Sequence, residues 1–319
     1  METACPLCSS AKPKNLVQSW PDYNYYLCGD CEIIFSRPFK NPGLEFYEGY
    51  TDLYPHEMPE QKIIMSLEYD EFLNDRSVPR GELLDIGCGD GWFIRRAQDA
   101  GYRVAGIDFN PHRVELAKSH YGLRDVFAAS LENFIQGEGK GRTFDVVTLF
   151  QVLEHLDRPN EWVAMIRSVL KPGGYVAIGV PNRDRRPDPL RGPGLDLLDI
   201  PPNHLTRWNK KGLADFLKKH GFSVERLLDV DWHPLLYALY LRNNLRLGMG
   251  VKMLKTDQVV HVSPQNRLSP NTGIVLNLIR AKEAAINLLA KMTYPAFRWG
   301  FRARGGQGVV LYGLARKES

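Results

Sequence analysis

Two groups of residues in this 319-residue chain stand at spacings that could do chemistry. Cys5-x-x-Cys8 and Cys28-x-x-Cys31 are two thiol pairs with 19 residues between them. Two such knuckles supply four thiolates for one tetrahedral zinc ion, the pattern of a zinc ribbon. Disulfides are the alternative, and a reducing compartment disfavours them. With sulfur in all four positions no place is left for an activated water. The metal would therefore be structural, folding a segment too small for its own core.

The second group is Leu83-Leu84-Asp85-Ile86-Gly87-Cys88-Gly89-Asp90-Gly91, between an apolar run and an amphipathic one. Glycines there let the backbone turn tightly and approach a ligand. Asp108 ends the next apolar run, 21 residues after Gly87, where a carboxylate can accept hydrogen bonds from ribose hydroxyls. A nicotinamide site would want a glycine where Trp92 stands. Asp85 suits a cationic ligand end, since a pyrophosphate would want bare helix N–H groups. Cys88 reads as a small buried filler. Phe150 and Gln151 close a later run and are placed to touch cofactor or substrate. His155 and His204 are the candidate general bases, both in segments expected at the C-terminal edge of a sheet. Each has a plainer use: His155 could pack or cap a helix start, and His204 could anchor its loop.

The elements that must position these residues follow from hydrophobic period. From Gly81 onward, runs rich in Val, Ile and Leu alternate with amphipathic stretches, which predicts an α/β fold with crossover helices. Strands are expected at Glu82–Ile86, Arg103–Asp108, Asp125–Ala129, Phe144–Phe150, Tyr175–Val180, Phe222–Val230 and Gly308–Lys317. Helices are expected at Trp92–Ala100, Pro111–Tyr121, Glu161–Leu170 and Lys211–His220, with Gly101, Gly122 and Gly221 where C-caps belong. The result is a Rossmann-like, seven-stranded, mostly parallel sheet with helices on both faces. The domains expected are a zinc-binding module at 1–45, linker or lid helices at 46–80, the core at 81–230 and 307–319, and a helical insertion at 231–306 around a polar loop, Thr256 to Thr272.

Net charge is +4. Between Leu235 and Gly306, however, eleven Lys and Arg face only Asp257 and Glu283. A uniformly basic nucleic-acid binder would not be so uneven. The insertion mixes apolar helical stripes (Ile274, Leu278, Ala285, Leu289) and aromatics (Tyr294, Phe297, Trp299, Phe301) with Arg298, Arg302 and Arg304. It reads first as a cap over a substrate pocket or a dimer face, and second as a peripheral contact with an anionic membrane. Neither a signal peptide nor a stretch long enough to span a bilayer is evident, so a cytoplasmic location is expected.

Asp85-x-Gly87-x-Gly89-x-Gly91, Asp108, Val152-Leu153-Glu154-His155 and Leu170-Lys171-Pro172-Gly173-Gly174 together resemble the successive motifs of class I S-adenosylmethionine-dependent methyltransferases. The resemblance is firm over about Gly81 to Pro181. It implies that the Asp85–Gly91 loop holds the methionine part of S-adenosylmethionine and that Asp108 holds the ribose. The family's acidic adenine-contacting stretch is altered here to Ala129-Ser130-Leu131-Glu132, leaving that contact to main chain near Ser130 and Leu131. Cys28 through Phe35-Ser36-Arg37-Pro38 to Tyr47-x-x-Tyr50 resembles the N-terminal module of bacterial methyltransferases of sugar and polysaccharide pathways. Tyr47, Tyr50 and Tyr54 would then form a lid, or simply pack the module onto the core. Ubiquinone-pathway O-methyltransferases are similar around Glu154 and His155. They carry a further Glu where this chain has Gln151, which argues against a divalent ion here.

These readings converge on methyl transfer to a small-molecule acceptor, with a sugar or lipid-linked intermediate in view. An RNA methyltransferase is the alternative enzyme, opposed by Phe150-Gln151-Val152-Leu153 where base-modifying relatives show Asn/Asp-Pro-Pro-aromatic; no sequence-specific nucleic-acid contact is expected. A non-catalytic cofactor-binding scaffold is the alternative from another class, opposed by the intact glycine loop. The atom methylated and the oligomeric state are open at this level.

Overall fold

The computed structural model describes residues 4–12, 14–47, 67–185, 199–244 and 271–318. Tyr50 and Tyr54, and nearly all of the expected polar loop at 256–272, lie outside them. The described chain forms two compact units. The first holds residues up to Arg185, Asp199–Asp231 and Gly308 onward; the second holds Trp232–Gln307.

In the first unit the Val-, Ile- and Leu-rich runs become strands buried on both faces, as parallel sheets require. After an N-terminal hairpin and a third strand, β1 (Lys14–Ser19), β2 (Asn24–Cys28) and β3 (Ile34–Arg37), comes helix α1 (Leu67–Leu73). The core then alternates: β4 (Glu82–Ile86), α2 (Trp92–Asp99), β5 (Arg103–Asp108), α3 (Pro111–Tyr121), β6 (Val126–Ala128), α4 (Leu131–Gln136), β7 (Phe144–Phe150), α5 (Pro159–Val169) and β8 (Leu170–Pro181). A short strand β9 (Thr206–Arg207), helix α6 (Lys210–Lys219) and strand β10 (Phe222–Val230) follow, and β11 (Val310–Lys317) closes the chain.

The seven-stranded sheet runs β10-β11-β8-β7-β4-β5-β6. β6, β5, β4, β7 and β8 are parallel neighbours. β11 enters antiparallel between β8 and β10. Leu84, Ile86, Ala105, Ile107, Val147, Leu149, Val176 and Ile178 are almost wholly buried between its two helical layers. Full burial of each large aliphatic side chain contributes roughly 1.5–3 kcal/mol.

Local signals set the helix ends. Asn110 accepts from the amides of His112 and Arg113 ahead of Pro111, and Gly122 ends α3 at φ 65°. Asn209 accepts from Gly212 N to start α6. One boundary differs from the sequence reading. β8 begins at Leu170, not Tyr175, and Lys171–Gly174 forms a bulge between the Phe144–Leu170 and Val146–Tyr175 pairs. Gly173, at φ 72°, permits the excursion. Lys171 Nζ anchors it on Asp145 Oδ2 at 2.8 Å.

A second sheet runs β1-β2-β3-β9. Its last strand comes from the distant segment just after His204: Ile34 pairs with Arg207 and Phe35 with Thr206. The cysteine segment is thereby hydrogen-bonded into the core.

Among the described residues the second unit contains two helices, α7 (Pro234–Asn244) and α8 (Asn271–Ala303). Trp232, Tyr237, Tyr240, Tyr294, Phe297 and Phe301 form its aromatic centre, with Tyr237 and Phe297 stacked at 4.1 Å.

Candidate active site

In an open α/β sheet, ligands bind beyond the carboxyl ends of the strands where strand order reverses. Here the chain winds outward from β4 through β5 to β6 on one side and then starts again at β7 on the other. The Asp85–Gly91 loop leaves β4 and Gln151 leaves β7, so both stand at that reversal.

Gly87, Gly89 and Gly91 have φ values of 76°, 54° and 86°, a region that side chains disfavour. A Cβ on Gly87 would lie 2.4 Å from Val152 Cγ2, and one on Gly91 would lie 2.6 Å from Leu123 Cδ1 and 2.8 Å from Ala117 Cβ. Gly87 N and Cys88 N both donate to Ile107 O. Gly89 N donates to Asp108 Oδ2 at 2.9 Å, and Asn110 N donates to Asp108 Oδ1 at 2.8 Å. Asp108 thus braces the loop and starts the turn into α3. Its burial outweighs these amide donors and keeps the carboxyl above its ordinary range.

Asp85 is 3% exposed and accepts from Thr148 Oγ1 at 2.6 Å. Burial pushes its carboxyl up to about 8, with the charge of Asp108 adding and the Thr148 hydrogen bond opposing. Ser130 caps α4 by accepting from Asn133 N, and the Leu131 side chain is fully buried. The Phe150 ring is committed to an aromatic cluster with Tyr69 and Phe93, at 5.1 and 4.9 Å. Gln151 adopts φ 57°, an uncommon conformation for a residue with a side chain. Its amide donates to Glu68 Oε1 at 2.7 Å.

The two histidines come together. Their ring centroids are 4.7 Å apart. His155, in the 3-10 turn Leu153–His155, has Nδ1 2.6 Å from Asn203 O. A carbonyl only accepts, so Nδ1 carries the proton and Nε2 is left with a lone pair. Burial and the adjacent His204 push His155 down to about 3, which keeps it neutral. His204 Nδ1 lies 2.9 Å from Asp199 Oδ1, which likewise assigns the proton to Nδ1 and frees Nε2. Burial raises Asp199, but Arg185, His204 and Arg207 outweigh it and hold the carboxyl well below the usual range. Arg185 Nη2 donates to Asp199 Oδ2 at 2.5 Å, and Arg207 donates to its main-chain oxygen.

Three residues that sequence reasoning passed over belong to this constellation: Asp199, Glu68 and Tyr25. Tyr25, from β2, donates to His204 O at 2.5 Å while Arg207 lies over its ring at 4.5 Å. The five-residue step from Asp199 to His204 was a usable signal. No local pattern could mark Glu68 or Tyr25, because each reaches the site from a separate element.

Glu154 is fully buried, and neither carboxylate oxygen has a hydrogen-bond partner. Burial raises its pKa far above the ordinary value. Ligand atoms of Glu154, His155 and His204 all lie within 4.8 Å of one another, so His204 adds a third donor where Gln151 lacks one.

The four cysteines also converge. Cys5 Sγ is 3.8 Å from Cys31 Sγ, and Cys8 Sγ is 3.6 Å from Cys28 Sγ. All four Sγ atoms lie within 4.8 Å of one another, and no disulfide joins them. A tetrahedron with Zn–S bonds of about 2.3 Å has edges of about 3.8 Å. The donor set fits that ion.

A methyltransferase-domain family model matches residues 60–227. The chain is 34% identical over 191 residues to the mitochondrial ubiquinone biosynthesis O-methyltransferase of Schizosaccharomyces pombe, covering 57% of this chain and 69% of that one. It is 31% identical over 149 residues to a probable S-adenosylmethionine-dependent methyltransferase of Mycolicibacterium smegmatis, covering 47% and 54%. Among solved structures, a SAM-dependent methyltransferase from Archaeoglobus fulgidus is similar at 18% identity and a TM-score of 0.49, over 85% of this chain and 100% of that one.

Gly91→Ala meets both strain and collision, so it should cost roughly 2–4 kcal/mol in denaturant unfolding. Gly101→Ala, at φ 93° with nothing within 4 Å of the added Cβ, should cost only about 1–2 kcal/mol.

Proposed function

The chain belongs to the methyltransferase-domain family as an S-adenosylmethionine-dependent methyltransferase of small molecules, and from that premise we propose that the acceptor atom is a hydroxyl oxygen deprotonated by His204. The observation that carries this is the Asp199–His204 hydrogen bond at 2.9 Å, which presents a bare Nε2 beside the strand-order reversal. Relatives named as ubiquinone biosynthesis O-methyltransferases support an oxygen acceptor. The acceptor class is a small hydroxylated molecule, of the sugar or lipid-linked kind.

S-adenosylmethionine supplies an activated methyl group on a cationic sulfur. Asp85 would hold the cationic amino-acid end of this ligand beside the turn of Gly87, Gly89 and Gly91. Asp108 would take the ribose hydroxyls, with main chain at Ser130 and Leu131 near the adenine. Phe150 and Gln151 would form the wall between donor and acceptor. His204 Nε2 would take the hydroxyl proton as the oxygen–carbon bond forms, and Asp199, kept ionised by Arg185, would stabilise the resulting imidazolium. His155 stays neutral and packs its ring against His204, so its role is to shape the pocket and accept a second acceptor hydroxyl at Nε2. Such base assistance contributes roughly 10²–10⁴ in rate.

A second reading has an observation of its own: the buried Glu154 carboxyl, without a hydrogen bond and with Oε1 4.0 Å from His155 Nε2, lies within 4.8 Å of donor atoms on both His155 and His204. A divalent cation held by these three side chains would lower the acceptor hydroxyl's pKa by direct coordination.

Zinc on Cys5, Cys8, Cys28 and Cys31 completes the reading as a structural ion. The basic segment at 231–306 suits an enzyme working peripherally at an anionic membrane. No helix among the described residues is long and apolar enough to cross one.

His204→Ala and Asp199→Asn should each lower kcat by roughly 10²–10⁴ while leaving S-adenosylmethionine affinity within about twofold. If activity in the wild type is abolished by a chelator and restored by magnesium, the cation reading replaces the base. Asp85 at about 8 is largely protonated at pH 7, and a cationic ligand favours its ionised form. Binding must therefore release a proton, and affinity should fall by up to about tenfold per pH unit below 8. Calorimetry in buffers of different ionisation enthalpy reads that proton directly; none released at pH 7 would exclude Asp85 from the cationic end. Native mass spectrometry should find one zinc per chain in the wild type and none in Cys31→Ser.

A further inference from the structure

One buried carboxyl in the first unit has no task in the methyl transfer set out above. Glu68, on α1, is fully buried. Its Oε1 accepts from Gln151 Nε2 at 2.7 Å, while Oε2 has no hydrogen-bond partner. The fold makes room for this side chain. A Cβ at residue 179 would lie 2.8 Å from Glu68 Cγ and 2.9 Å from its Oε1, and a glycine stands there. Gly179 O also accepts from Gln151 N at 2.8 Å, so the carboxyl and the amide it holds share one anchor near the C-terminal end of β8.

Glu154 follows three residues after Gln151 and is equally buried, and neither of its oxygens has a hydrogen bond. Of the charges that disfavour its ionisation, that of Glu68 counts first. Three carboxyl oxygens without hydrogen bonds thus stand about the turn that leaves β7, where an unmade bond to a buried group is costly. Among the described residues neither carboxyl has an ion pair with Lys or Arg, and Arg185 and Arg207 engage Asp199 instead.

The chemistry of the missing partner follows. It must bring hydrogen-bond donors and positive charge together, and a hydroxyl brings donors alone. A metal ion on Glu154, His155 and His204 leaves Glu68 outside its donor set, with Oε2 still unanswered. A primary ammonium has three N–H donors and one charge. It also spans a wider gap, with N···O distances of about 2.8 Å on each side, against about 2.1 Å for a magnesium–oxygen bond.

Resting on the small-molecule methyltransferase reading above, we propose that the acceptor carries a protonated primary amine in addition to its reacting hydroxyl, and that Glu68 and Glu154 hold this ammonium beside Gln151. The acceptor class is an amino sugar or a related amino alcohol. An ammonium has no lone pair, so a nitrogen held in this way stays unmethylated while the hydroxyl at His204 reacts.

Ligand-observed NMR titration of the full chain loaded with S-adenosylhomocysteine tests this. The probes are glucosamine, N-acetylglucosamine and glucose, at a pH where the glucosamine amine is protonated, first with a chelator and then with magnesium. Glucosamine should bind at least about tenfold more tightly than either neutral sugar in the presence of the chelator. Glu68→Gln keeps the side-chain volume and an acceptor for Gln151. It should cut that preference to within about twofold while leaving S-adenosylhomocysteine affinity unchanged, and Glu154→Gln should do the same. No preference in the wild type, a preference that Glu68→Gln retains, or one that appears only with magnesium would overturn the proposal. Failure of the wild type to bind S-adenosylhomocysteine would remove the underlying methyltransferase reading, and the proposal with it.

Discussion

The pairing of Thr206 and Arg207 with Phe35 and Ile34 is the contact on which the proposed acceptor side of this molecule rests. It makes the strand after His204 the edge of the cysteine segment's sheet, so the position of the histidine is set by main-chain hydrogen bonds rather than by a surface loop. Leu205 carries the linkage in both directions: its N–H donates to Glu154 O, and its carbonyl accepts from Ser36 N. Tyr25 adds a hydrogen bond to His204 O. The loop between the two sheets is thus held at both ends, and a residue within it can be aimed. The four thiols converge at the end of β2 and the turn into β3 of the same sheet, so the proposed zinc would have a positioning effect without any part in the chemistry.

On the opposite side of the reversal, the glycine loop is shaped by what it must avoid as much as by what it binds. Val152 presses against Gly87, and Leu123 with Ala117 against Gly91. Asp108 braces the loop through Gly89 N, so the carboxylate proposed for the ribose also organises the backbone around it. Asp85 and Glu154 are buried carboxyls whose ionisation is costly without a cation close by. A site with two such groups, one on each side of the strand reversal, is electrostatically prepared for positively charged guests. The proposed sulfonium donor is one. The second reading's divalent ion would be the other.

Much of this was legible in the chain itself. Continuous runs of Val, Ile and Leu marked all seven strands of the large sheet, and amphipathic stretches most of its helices, because a sheet buried on both faces demands unbroken apolar runs. Pro111 and Gly122 announced the ends of α3, since helix-end chemistry is local; its N-cap, Asn110, appeared only in the structure. The start of β8 was misplaced because Gly173 lets a strand absorb a bulge that looks like a turn in sequence. β9 was invisible: two residues carry no periodicity, and their pairing is with a segment some 170 positions away.

The site divides along the same line. Sequence alone determined the thiol quartet, the glycine loop with Asp85 and Asp108, and the candidacy of His155 and His204, since each depends on residue type at short spacing. Only tertiary structure decided that the two histidines touch, that Asp199 orients one of them, and that Glu68 meets Gln151. It also decided that Trp299 faces outward while Phe297 and Phe301 face in. The physical reason is that short-range backbone geometry is written in neighbouring residues. Burial, proton assignment and pairing of charges depend on which distant elements pack together, and no single segment contains that information.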